Sequence, residues 1–274
     1  MADKFMKSIT FVEGGDAYYP LPKVTNADDG KVLKVVDGTW SLDDLIPPPY
    51  LSFIGNEDFT LKTGNTTKNW DGMLEYSTDK STWNTWDGTE ISSSGNTLYL
   101  RGTGNTKITG NSNNYRFVFT GTSALKIACE GNIESLLDCR TVKDGGHPAM
   151  ADFCYQYIFQ NCTSLTTAPS LPATTLVINC YAYMFQGCTS LTTAPALPAT
   201  TLARYCYSGM FYGCKKIKLS TTQTGEYQTP YRIPTSGTGT TQTNALISMF
   251  YNTGGTFKGT PKINTTYYTS NTVV

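Results

Sequence analysis

The residues able to do chemistry in this chain are few and unevenly placed. It has eight cysteines and a single histidine, His147, in "DGGHPAM". A Ser-His-Asp or Cys-His arrangement is open only through that ring, and no serine sits in the GxSxG setting that exposes a nucleophile at a strand-to-helix turn. Zinc is disfavoured, because no CxxC pair exists and one histidine makes a poor ligand set. "NADDG" fails the calcium-loop spacing, since Ala27 takes a ligand position, and neither a P-loop nor a GxGxxG fingerprint is present. Paired carboxylates for glycoside hydrolysis need only meet in space, and nothing marks such a pair. No catalytic residue, metal ligand or cofactor is therefore expected, and the lone loop histidine reads as polar surface.

Six of the eight cysteines obey a count instead. Cys154, Cys180 and Cys206 are each 26 apart, and so are Cys162, Cys188 and Cys214, then Phe159, Phe185 and Phe211, then Leu165, Leu191 and Ile217. A fixed period of this size marks a solenoid, whose units bury their apolar sides only against one another. The thiols then read as small buried hydrophobes, with disulfides formed after release as the alternative. Within one unit Cys180, Met184, Phe185 and Cys188 have helix-like spacing, and Leu191 opens an extended stretch ended by "APALP". A short helical turn, a short strand and a proline turn are the elements expected in each coil.

The rest of the chain frames these units. At 274 residues it exceeds a usual single domain. Lys+Arg and Asp+Glu are both 21, so no net field draws nucleic acid or an anionic membrane. The charged fraction is only 15%, and Thr, Ser, Asn, Gly and Tyr fill the surface, as in β-rich extracellular or virion proteins. "MADKFMKSITFVEGG" has no apolar stretch of leader length, and no apolar run reaches the roughly 18 residues of a spanning helix. Folding in a reducing cytoplasm is expected, with no membrane insertion. A surface-like chain without a leader suits particles freed by lysis.

Three zones divide the chain. Residues 1–47 end in "SLDDLIPPPY", whose three prolines make a stiff connector. Residues 48–125 alternate apolar runs such as "YLSFIG" and "YRFVFTG" with Gly, Asn and Asp turns, the pattern of a small antiparallel sandwich. Residues 126–274 hold the repeats. The expected fold class is mainly β and multidomain.

Two resemblances extend this reading. "YMFQGCTSLTTAPALPATTL" resembles the BspA-like leucine-rich repeat family, which implies a leucine-rich-repeat solenoid over 126–274; "ALISMFYNTGGTFKG" restores the Met-Phe pair at Met249 and Phe250, 39 residues after Met210 and Phe211, as an atypical capping unit. "YYPLPKVTNADDGKVLKVVDGTWSLDDL" resembles a module near the N-termini of phage head-fibre and tail-fibre proteins. Its residues read as a β-hairpin: Val32, Leu33, Val35 and Val36 on one strand, Asp37-Gly38 turning, Trp40 on the other. A hairpin this small needs a partner, and the resemblance implies capsid or tail proteins and a homotrimer. The sandwich resembles immunoglobulin-like spacers. The function these resemblances imply is a non-enzymatic phage virion protein binding a host-surface glycan or protein; a bacterial BspA-like surface adhesin is the alternative.

Binding residues are sought among exposed aromatics. Tyr155, Tyr181 and Tyr207 recur every 26 residues, with Tyr157 and Tyr183 two residues further on. Such a row either covers the edges of helical turns or stacks against sugar rings or a protein. Trp83 and Trp86, near a turn of the sandwich, fill its core or stack on sugars from a loop; the core reading is favoured.

Overall fold

The structure, a computed structural model, describes residues 31–36, 39–44 and 49–270. The backbone divides into two units, residues 1–47 and 48–274. In the first, β1 (Lys31–Val36) pairs antiparallel with β2 (Thr39–Asp44), Val35 opposite Trp40 and Val36 opposite Thr39. Val32, Leu33, Val35 and Val36 thus share one strand and Trp40 lies on its partner. The turn expected at Asp37-Gly38 lies outside the described residues.

The second unit is mainly β, with one short α-helix, α1 (Cys139–Lys143), among the described residues. Two sheets face each other over its first part. One has the order β11 (Leu165–Thr167), β10 (Ile127–Glu130), β3 (Leu51–Gly55), β8 (Thr97–Thr103), β5 (Met73–Ser77), β6 (Asn84–Trp86); the other has β7 (Ile91–Ser92), β4 (Thr60–Thr63), β9 (Phe117–Thr120). Period-two alternation makes these strands: Leu51 and Phe53, Leu98 and Leu100, and Leu61 and Thr63 point inward and are buried. Across the layers Phe53 meets Phe117 at 6.2 Å and Phe119 at 5.2 Å between ring centroids.

Backbone contacts run continuously across residue 125. β10 pairs antiparallel with β3 on one side and parallel with β11 on the other, so one strand belongs both to the sheet and to the first repeat. Asn105 adds a second clamp. It is buried, its amide donates to the carbonyls of Met73 and Leu136 at 2.7 and 3.0 Å, and its Oδ1 accepts from Gly72 N–H at 2.6 Å. Gly102 lets the chain at Leu136 come this close, because a Cβ there would overlap the Leu136 carbonyl.

The repeats are built from turns, not from the expected helical turns. In 153–162 amides alternate in their partners. Tyr155, Tyr157 and Phe159 donate to the carbonyls of Cys180, Ala182 and Met184 in the next unit, while Gln156, Ile158 and Gln160 donate three residues back, to Phe153, Tyr155 and Tyr157. An α-helix uses every amide internally, so committing every second one to the neighbour forbids it. The chain adopts positive φ every fourth residue instead: at Phe153, Tyr157 and Asn161, then Asn179, Tyr183 and Gly187, then Tyr205, Gly209 and Gly213, then Asn244, Ser248 and Asn252, all between 55° and 75°. A four-residue turn period and a 3.6-residue helix period give nearly the same apolar spacing. The expected strand forms in the first unit as β11; at 191–193 no strand is assigned, and the later units meet through single bridges, Thr175 with Thr201 and Thr201 with Thr240.

Aromatic columns run down the stack. Phe159, Phe185, Phe211 and Phe250 lie face to face at 5.6, 5.7 and 5.3 Å, all fully buried. Edge-on rings close both ends: Phe117 at 5.8 Å from Phe159, and Tyr231 at 5.9 Å from Phe250. Tyr231 belongs to β13 (Thr229–Arg232), which with β14 (Thr266–Thr269) and β12 (Leu219–Ser220) forms a terminal three-stranded sheet in the order β12-β14-β13. The cysteines of the second register act as hydrogen-bond donors. Cys162, Cys188 and Cys214 give their S–H to the carbonyls of Phe117, Phe159 and Phe185 at 3.2, 3.0 and 3.0 Å; in the last unit Thr253, at the equivalent place, donates its hydroxyl to Phe250.

Two predictions follow from this packing. Phe185→Ala should cost about 3–5 kcal/mol, since the ring is enclosed between two others, whereas Gln186→Ala, at a half-exposed position, should cost about 1 kcal/mol or less. Denaturant unfolding of both variants measures the difference, and equal small losses would contradict the stacked arrangement. All eight cysteines are free and buried. Burial also pushes the Cys162, Cys206 and Cys214 thiols up to about 12. Intact mass after alkylation should show all eight labelled in denaturant without reductant and almost none in the native protein; crosslinked species would contradict it.

Candidate functional site

Turn geometry decides which rings reach the surface. With positive φ every fourth residue, the two positions after each such residue point inward, as Cys154 and Tyr155 or Ile158 and Phe159 do, and the positive-φ residue itself stands outward. Tyr155, Tyr181 and Tyr207 are therefore core residues. Each is 0% exposed, and they stack at 5.6 and 5.9 Å. This corrects their expected place on a surface row. The error came from helical spacing, which puts the residue after the cysteine at the edge of the core.

Tyr157 and Tyr183 are the residues left outside. They are half-exposed and stacked at 5.4 Å and 13°. The column continues below with Gly209, whose Cα faces the Tyr183 ring so closely that a Cβ would strike it. A bulky residue at positive φ costs about 1–2 kcal/mol, and the same register holds Gly209 and Ser248 in later units, so the backbone does not require tyrosine here. A second column, which the sequence reading missed, runs Gln160, Gln186, Tyr212, Tyr251, buried at Gln160 and emerging to the surface by Tyr251. Gln160 donates its side-chain amide to Gln186, and Tyr212 stacks on Tyr251 at 5.2 Å, the latter 52% exposed. The register count alone reaches it: Gln160, Gln186 and Tyr212 are 26 apart, and Tyr251 follows 39 later.

The two tryptophans part company. Trp86 is 2% exposed, stacks on Trp70 at 5.3 Å and donates Nε1–H to the Thr89 carbonyl, so it is core and not a loop platform. Trp83 is half-buried on the other face of the sheet. Arg101 lies 4.0 Å over its ring, Tyr50 packs at 5.9 Å, and Glu75 holds Arg101 at 2.8 Å. That face offers an aromatic and cationic patch already bound up in its own contacts.

His147 is not plain polar surface either. Its Nδ1 lies 2.8 Å from Oε2 of Glu134, a carboxylate whose side chain is fully buried while the His147 side chain is 49% exposed. Asn132 caps the turn Ile133–Leu136 by accepting from Glu134 N–H, which fixes the carboxylate's place. Glu134 Oε1 and the Tyr181 hydroxyl are buried without a partner. Burial pushes the Glu134 carboxyl above the usual glutamate range, with the His147 hydrogen bond and charge pulling part of the way back. Such a pair can hold or pass a proton. It does not form a nucleophilic chain with the adjacent serine, because the Ser135 hydroxyl is itself without a partner. No sequence signal marked Glu134, since only the fold brings it to residue 147.

Comparison with protein-family models, with curated proteins and with solved structures finds no match.

A carboxyl that holds its proton more tightly when folded contributes stability on the acid side, and that contribution is lost as pH rises through the folded value. The denaturation midpoint of the wild type, relative to Glu134→Gln, should therefore decline as pH is raised from 4.5, the ordinary glutamate value, toward neutrality. A difference that stays constant with pH would show that Glu134 titrates alike in both states.

Proposed function

We propose that this chain is a non-enzymatic phage virion protein, a head fibre or a tail-fibre or decoration protein. Residues 1–47 anchor it to capsid or tail proteins and support a homotrimer. Residues 48–125 act as an immunoglobulin-like spacer and 126–274 as a BspA-like leucine-rich-repeat solenoid, which presents its outer face to a host-surface glycan or protein. The observation that carries this reading is the Tyr157 and Tyr183 pair. Two aromatic residues occupy a strained backbone position that glycine and serine fill in neighbouring units, and they stay half-exposed. Local strain of this kind gathers where a protein binds. Stacking offsets only about 0.5–1.5 kcal/mol of that cost. Tyrosine supplies rigid contact area at little entropic cost, which suits sugar rings or a protein partner.

Free, buried thiols support assembly inside a reducing host over secretion as a cell-surface adhesin. Mass spectrometry of purified particles should find the chain as a virion component. Particles carrying Tyr157→Ser with Tyr183→Ser should retain it, unfold at nearly the same temperature, and adsorb to host cells about tenfold or more weakly. Particles that lack the chain would overturn the location, and unchanged adsorption would overturn the role of the tyrosine face.

A further inference from the structure

Between β9 and residues 160–164 lies a groove of about 330 Å³, within the roughly 300–1,000 Å³ of small-molecule sites. It opens where two backbones part. Phe117 N–H donates to the Ile158 carbonyl at 2.7 Å, and the Cys162 thiol to the Phe117 carbonyl at 3.2 Å. Gly64 N–H bonds the Arg116 carbonyl on the opposite side, toward β4, so the alternation along β9 turns the N–H and C=O of Phe119 away from β4 and toward the groove. β9 is the edge of its sheet, and no strand of the described residues covers it there. The far wall offers a matching acceptor. In later units the carbonyls of Gln186, Tyr212 and Tyr251 take the N–H of Asn161, Gly187 and Gly213; among the described residues nothing takes the equivalent place at Gln160.

The lining is hydroxyl-rich and carries one sign of charge. Thr120, Thr122, Ser123, Thr163 and Ser164 contribute hydroxyls, and among the described residues no carboxylate lines the groove. The nearby Glu57 carboxylate is occupied by the Thr122 N–H and hydroxyl, each at 2.7 Å. Arg116 and Lys126 both line the groove, and neither joins an ion pair among the described residues. Arg116 gives Nη1 to the Asn113 carbonyl at 3.0 Å, and Lys126 reaches only the Ser190 hydroxyl at 3.3 Å. Two cations in the lining, against one carboxylate turned to Thr122 at its side, favour an anion, and a guanidinium favours a carboxylate. A strand-like peptide would want several backbone pairs in a row, whereas this edge presents chiefly that of Phe119, amid many hydroxyls.

We infer that this groove binds the carboxylate-bearing sugar of an acidic oligosaccharide. The inference rests on the reading that the chain binds surface glycans, and it adds their charge. Gln160, which lines the groove, closes its turn by donating its N–H to the Tyr157 carbonyl at 2.8 Å.

Titration of the full chain by calorimetry with 3′-sialyllactose, a hyaluronan tetrasaccharide and lactose tests it. At least one acidic probe should bind about tenfold tighter than lactose. Arg116→Gln with Lys126→Gln should abolish that preference, and Ser123→Trp, on an exposed residue, should block the groove with both charges intact. Unchanged circular dichroism keeps either variant interpretable. Equal affinity for acidic and neutral sugars, or a preference that survives the groove variants, overturns the groove while leaving the tyrosine face standing. Binding of hexaglutamate as tight as that of the acidic sugar overturns it in favour of a peptide. Failure of every sugar together with unchanged adsorption of the tyrosine-variant particles overturns both readings.

Discussion

The structure depends on a division of labour among backbone amides. Between residues 153 and 161, and again one and two units later, alternate N–H groups bond three residues back and into the following unit. A helix would spend all of them locally, and a ladder of strands would leave none for turns. The compromise requires a left-handed residue every fourth position, and that requirement dictates much of the composition. Asparagine and glycine recur at those positions because they adopt this conformation at low cost. The positions between them come in inward-pointing pairs, which is why cysteine and tyrosine stand side by side in the core.

Fixed register then converts one side chain into a column. Phenylalanine stacks on phenylalanine with planes within 2° for the first two steps, a geometry that needs units of equal length. Where the period lengthens to 39 the planes tilt to 21°, and the column ends against Tyr231 edge-on. At the other end β10 and β9 supply partners that a further repeat would otherwise have provided, so the sheets terminate the stack as well as precede it. The groove beside Phe119 lies where that substitution is incomplete.

Much of this was legible in the sequence, and the failures share a cause. The 26-residue count found the Phe, Cys and Leu columns because register survives any backbone conformation. It could not tell a chain of four-residue turns from a helix, since Cys180, Met184, Phe185 and Cys188 satisfy both periods, and so it placed Tyr181 at an edge when it lies inside. Val35 and Trp40 were placed by period-two patterning and a turn signal, and they face each other across β1 and β2. Trp83 directly precedes β6 and Trp86 ends it, and only the sheet decides which looks inward. Glu134 with His147, and β10 with β3, meet through tertiary folding. Local sequence holds no record of such encounters.

The turn-to-turn bonds also set how the molecule answers a mechanical load. A pull along the stacking direction strains every bond of one interface together, so each interface resists as a bundle while successive interfaces bear the same force in line. The first two close through five such bonds each, from Phe153 to Asn161 and from Asn179 to Gly187; the third closes through four, from Tyr207 to Gly213. The third is also bridged by the longest connection, 39 residues from Phe211 to Phe250 against 26 in the others, so parting it would release more slack than parting either of the others, at about 3.3–3.6 Å per residue.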